Sequence, residues 1–177
     1  MKKQTNVSKL AAVVMYGVLS QAAFAADGTI NFSGEIVDAP CSLSPTSQNL
    51  TVALGSVART VLDGGAGKKA TPAKFSLELT GCGASANGAT VTFNGTADAQ
   101  LTDSLRVGVG EIGAATGVAI ELGDSNGAKI ALGSESGKYV LAPGNNPLKF
   151  QAVYVSTLPA VTVGSANAVA QFTVNYK

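Results

Sequence analysis

The chain has 177 residues, 46% hydrophobic, 6% aromatic and only 13% charged, with 12 basic and 11 acidic side chains and a formal net charge of +1. It contains no histidine, which excludes a Ser-His-Asp triad, a histidine-ligated zinc site and imidazole general-base chemistry. Low charge, no basic stripe and few aromatics leave neither an electrostatic footprint for phosphates nor a stacking platform for bases, which argues against nucleic acid as a partner.

The length suits a single domain once a targeting segment is removed. The chain opens with such a segment: Lys2 and Lys3 form a positive end, Leu10 to Leu19 is mostly apolar, and Ala23-Phe24-Ala25 offers a small-residue cleavage site. Residues 1–25 are expected to be a signal peptide. An uncleaved anchor is the competing reading, but Tyr16, Gly17 and Ser20 interrupt an apolar run already short of the roughly 20 residues a span needs. Cleavage would take Lys2, Lys3 and Lys9 and no acidic residue, leaving a nearly neutral exported chain.

In residues 28–36, Gly28, Ile30, Phe32, Gly34 and Ile36 share one face, and Thr29, Asn31, Ser33 and Glu35 share the other. This period of two predicts a strand with one face seeking a core. Periodicity alone favours the plainer reading that this is the domain's own first strand. Cys41 and Cys82 are an even pair, and in an oxidising compartment that is most simply a disulfide, two free thiols being the alternative. Closing that loop would remove unfolded-chain entropy worth on the order of 4 kcal/mol.

Past the signal no helical periodicity exceeds a turn or two. Short β-rich runs alternate with Gly, Ser, Asn and Asp, predicting strands over 29–37, 50–54, 74–79, 90–93, 104–109, 118–122, 129–132, 148–155 and 169–176. Asp124-Ser125-Asn126-Gly127 marks a hairpin between the runs at 118–122 and 129–132. Many short strands suggest a sandwich, with a closed barrel as the structural alternative. A transmembrane barrel is disfavoured, since the strands fall short of the roughly 9–11 residues a span requires and no aromatic girdles occur. The chain ends inside a strand, where Ala168, Ala170, Phe172, Val174 and Tyr176 alternate with polar neighbours. A long apolar strand at that position implies burial or an edge awaiting a partner.

Other motifs have plainer readings. Gly108-Val109-Gly110-Glu111-Ile112-Gly113 fits GxGxxG, but little helix can follow it, so a glycine-rich turn is expected and no cofactor is assigned. Glu35 with Asp38, Glu111 with Glu121, and Asp98 with Asp103 are read as solvated charges instead of acid/base pairs. Asn49-Leu50-Thr51 and Asn94-Gly95-Thr96 match a glycosylation pattern common by chance and are treated as unmodified. Lys68-Lys69, after Gly64-Gly65-Ala66-Gly67, reads as an exposed loop tip.

Together, the signal segment, the run Gly28 to Val37, Asp38-Ala39-Pro40-Cys41, Leu79-Thr80-Gly81-Cys82, the stretch Pro147 to Tyr154, and a terminal motif in which Gly164 precedes the penultimate aromatic Tyr176 resemble the subunits of chaperone-usher fimbriae, especially type 1-like major pilins. The resemblance covers nearly the whole chain. It implies an all-β, incomplete immunoglobulin-like β-sandwich completed by a donated strand, with residues 1–25 as signal, 26–40 as donor-strand extension and 41–177 as pilin domain. It implies that Gly28, Ile30, Phe32, Gly34 and Ile36 form the donor face, and that Gly164, Phe172, Val174 and Tyr176 form the acceptor edge and chaperone contact. The implied role is a structural, non-enzymatic subunit of an adhesive fimbria at the bacterial surface. Its implied partners are identical and related pilin subunits, a periplasmic chaperone, an outer-membrane usher and, through the fibre, a host-surface receptor. A minor adaptor or glycan-binding subunit is the alternative.

Overall fold

The computed structural model describes residues 30–34 and 40–177. The signal segment, Gly28 and Ile36 therefore lie outside the described residues, as do 29 and 35–37 of the strand expected over 29–37; the described part, 30–34, is in no strand. The chain divides into two units, Met1–Ile36 and Val37–Lys177, and the fold below is that of the second.

Among the described residues, nine strands and two single-turn helices follow one another as β1 (Ser42–Leu43), α1 (Pro45–Gln48), α2 (Arg59–Leu62), β2 (Ala73–Cys82), β3 (Gly88–Gly95), β4 (Leu105–Arg106), β5 (Val118–Asp124), β6 (Lys129–Ile130), β7 (Tyr139–Val140), β8 (Gly144–Ser156) and β9 (Ala170–Tyr176). The larger sheet has the order β1-β2-β8-β5-β4, with β6 also paired to β5, and the smaller has the order β7-β3-β9. Every pairing between these strands is antiparallel.

Alternation along the strands puts Leu77 and Leu79 of β2, Val91 and Phe93 of β3, and Leu148 and Phe150 of β8 into one buried cluster. An aromatic contact ties the sheets together: the Phe93 and Phe150 rings meet edge to face with centroids 5.1 Å apart, a favoured quadrupole geometry. The disulfide between Cys41 and Cys82 is formed, fixing the start of the domain to the end of β2.

The hairpin is as expected. The Asp124 carboxylate accepts from the amides of Asn126 and Ala128 at 2.8 and 2.9 Å, and Gly127 takes the left-handed φ of 92° that closes the turn. Residues 108–113 are turns in which Gly108, Gly110 and Gly113 all have positive φ.

Three expectations need correction. Residues 50–54 belong to no strand, because a strand requires a hydrogen-bonding neighbour and an open groove lies beside them. The expected strand over 104–109 contracts to Leu105–Arg106, since the chain beyond turns away through Gly108. Glu121 is buried, not solvated. Its place on β5 sets it between Lys69, with which it pairs, and Lys129, whose Nζ also lies 2.6 Å from Asp103. Lys69 stays exposed on its loop while its ammonium reaches Glu121, so the buried carboxylate is compensated by two cations.

Candidate functional site

β9 is hydrogen-bonded to β3 in continuous register from Ala89↔Tyr176 to Gly95↔Ala170. Among the described residues it is the margin of its sheet, and no described strand pairs with its other side. Across from that free side runs the extended segment 50–55, and the two line an open groove. Core residues floor the groove: the half-buried Phe75 and the buried Leu77, Phe93, Ile120 and Leu122 line a space of about 300 Å³. The opening continues as about 590 Å³ beside Tyr154, Ala166 and Ala168. It ends in about 340 Å³ where Leu62, Val118 and Val161 lie under Gly164.

The side chains of β9 record the same vacancy. Phe172, Val174 and Tyr176 pack on the core yet are only partly buried, whereas Val91 and Phe93, their counterparts on β3, are buried. A missing neighbour on the free side accounts for the difference. Small residues precede them on the same face, Ala166, Ala168 and Ala170, so the wall is low where the groove is widest.

Gly164 belongs to this wall for a steric reason. Its segment runs against residues 113–115, with Ala115 N–H donating to Ser165 O at 2.8 Å. A Cβ at Gly164 would stand 2.3 Å from Gly113 O and 2.5 Å from Ala115 N, so only glycine permits this approach. Glu111 clamps the same contact, accepting from Ser165 Oγ and from Asn167 Nδ2, the latter at 3.0 Å. The Ser165 hydrogen bond and then that of Asn167 hold the Glu111 carboxyl below its ordinary range. Farther along, the Tyr154 hydroxyl donates to Ala166 O at 2.9 Å, and burial pushes its phenol up.

Of the predicted edge residues, Phe172 lines the groove and Gly164 its far end, while Val174 and Tyr176 continue along β9 beyond the lining. Among the donor-face residues, Ile30, Phe32 and Gly34 are described; they are exposed and in no strand, Phe32 to 92%. Sequence reasoning missed the opposite wall, 50–55, as a groove component, although Leu50, Val52 and Leu54 alternate at period two. It also missed Glu111 and Tyr154, which become partners of the wall only through contacts distant in sequence.

The domain thus joins an apolar groove to a sheet edge that no described strand pairs, in a chain that also carries the exposed apolar residues Ile30 and Phe32. The profile of the family described as fimbrial protein matches residues 30–177. This chain belongs to the fimbrial protein family. It is 40% identical over 157 residues to the probable major fimbrial subunit LpfA of Escherichia coli O157:H7, covering 88% of this chain and 87% of that one. It is 39% identical over 164 residues to the long polar fimbria protein A of Salmonella typhimurium, covering 90% and 91%. Among solved structures, a chaperone-usher pilus superposes with a TM-score of 0.70 at 28% identity, covering 86% of this chain and 96% of that one. The P pilus rod subunit PapA does so with 0.66 at 28%, covering 78% and 100%. The fold is accordingly the incomplete immunoglobulin-like sandwich of pilins, and the fimbrial chain is a structural subunit. Subunits of this family are exported and form surface fimbriae with related pilin subunits.

Proposed function

We propose that this fimbrial subunit polymerises as the repeating shaft of its fibre by lending residues 26–40 to the groove of a neighbouring copy. Ile30, Phe32 and Ile36 fill apolar pockets beside β9, and Gly28 and Gly34 permit close backbone approach. The observation that carries this reading is the groove itself, floored by core residues beside the edge of β9 that no described strand pairs. Strand addition to such an edge is a recognised mode of association, of which chaperone–pilin complementation is a standing example. Burying each large side chain contributes roughly 1.5–3 kcal/mol, and main-chain pairing fixes register. The pairings between strands β1 to β9 are all antiparallel, the isolated bridge Ala114↔Ser165 being parallel, and the donated strand is assigned the antiparallel direction along β9.

Before assembly the same groove is covered by a periplasmic chaperone strand, with Gly164, Phe172, Val174 and Tyr176 as its contacts, and exchange occurs at an outer-membrane usher. Residues 1–25 serve export and are removed after Ala25. The mechanism calls for no catalytic group and no cofactor. Contact with a host-surface receptor belongs to the assembled fibre. The shaft role is favoured over a minor adaptor because the relatives named as fimbrial subunits include a probable major one.

Phe32→Asp tests the proposal: it would place an unpaired charge in an apolar groove, so the surface fibre yield should collapse while the subunit still accumulates with its chaperone. Unchanged fibre yield would refute donation by this face.

A further inference from the structure

The geometry points to a second contact between successive copies: the exposed apolar patch formed by Val109, Ile112, Val163 and Val169 seats the folded body of the copy whose strand fills the groove. This inference rests on the strand-donation reading above and adds to it a surface outside the groove.

Two neighbouring segments build the patch. Gly108 N–H donates to Asn167 O at 2.7 Å, and Ala114 bridges Ser165, so the turns at 108–113 lie alongside 163–169. Val109 and Val169 line one shallow cleft, while Ile112 and Val163 immediately precede Gly113 and Gly164, whose backbones meet. Ile112 is 104% exposed, Val163 79% and Val169 80%. Four exposed aliphatic side chains on two adjoining segments, rimmed by Arg106 and Glu111 beside Val109 and Val169, mark a contact site. The Glu111 clamp to Ser165 and Asn167 holds the two segments together as one face.

Chain length identifies the occupant. Ile36 and Cys41 are five residues apart, a reach of at most about 18 Å. Cys41 is anchored in its own domain by the bond to Cys82. A strand entering antiparallel to β9 leaves the groove beside the start of that segment, at Ala166 and Gly164, which adjoin the patch. The donor's body is therefore confined to this end of the acceptor. The surface it presents is the one around its own Cys41: Pro40, whose carbonyl accepts from Gly83 N–H at 3.0 Å, and the exposed Ala84 and Ser85 beside it. The contact is heterologous and does not close on itself, as a fibre requires. A junction held only by a short linker would swivel, and the patch is what fixes its angle.

The test places a photocrosslinking benzoylphenylalanine at position 112, exposed in the single subunit, and irradiates assembled fibres from the full-length protein. Crosslinked peptides should join position 112 of one copy to residues 40 or 83–87 of the next. Fibres that form normally but give crosslinks elsewhere, or none, overturn the patch while leaving strand donation standing. Absence of heat-labile polymers from the unsubstituted protein overturns strand donation and the patch with it. As a second readout, Ile112→Asp should leave subunit linkage intact yet lower fibre persistence length at least twofold in electron micrographs; an unchanged persistence length overturns the patch.

Discussion

The Tyr176 hydroxyl donates to the carbonyl oxygen of Cys41 at 3.1 Å, joining the last strand of the domain to the residue that carries the disulfide. The phenol is pushed up by burial and remains a donor at neutral pH. Tyr176→Phe keeps the ring and removes this bond, so it should cost about 1 kcal/mol by urea unfolding and leave chaperone co-purification intact. Tyr176→Ser removes the ring as well and should reduce the amount of chaperone recovered with the subunit. Undiminished recovery with Tyr176→Ser would remove this tyrosine from the contact edge.

Gly164→Ala tests the close approach at the end of the groove. The added Cβ meets backbone atoms of 113–115, which cannot swing aside as a side chain could. The expected penalty is roughly 1–3 kcal/mol, read as a fall in melting temperature of about 2–4 °C per kcal/mol. A melting temperature equal to that of the parent would mean that the segments separate freely.

The Glu111 clamp gives a pH dependence with a definite sign. Its folded carboxyl is held low by Ser165 and then Asn167, so its contribution is complete above the unfolded value of about 4.3. That contribution is lost as pH falls through the lower folded value. Asp103, lowered chiefly by its hydrogen bond from Lys129, and Glu135, lowered chiefly by that from Lys177, lose theirs in the same direction. Comparison with Glu111→Gln isolates the clamp: urea midpoints should differ at pH 7 and converge towards pH 3. A constant difference across that range would contradict the assignment.

Replacing both Cys41 and Cys82 by serine opens a loop whose ends are separated by 41 positions. The loop-closure argument expects a loss of about 4 kcal/mol. Equal denaturation midpoints for the oxidised parent and the double variant would show that the bond does not stabilise the domain.

Much of this molecule was legible in its sequence because period-two alternation is a local signal. Lys74 to Leu79, Val118 to Leu122 and Phe172 to Tyr176 all fall within strands, and the Asp124–Gly127 turn carries its own chemistry. What stayed hidden depends on contacts between distant segments. Residues 50–54 have strand character but no neighbour to pair with, and Glu121 looks like a surface charge until Lys69 and Lys129 are brought to it. The two-residue strands β1 and β7 are too short to leave a pattern at all. The groove is an intermediate case: Phe172, Val174 and Tyr176 read as a strand either buried or awaiting a partner, and the resemblance implied an acceptor edge, but the opposite wall at 50–55 and the contacts of Glu111 and Tyr154 come only from the fold.

Strand donation is tested most directly by running sheared surface material on a denaturing gel without heating, comparing the intact protein with a variant lacking residues 27–37. The account predicts a ladder of polymers from the intact protein that collapses to monomer on heating and is absent from the variant. An intact protein that runs only as a monomer before heating would contradict it, and would mean that residues 28–36 complete their own domain.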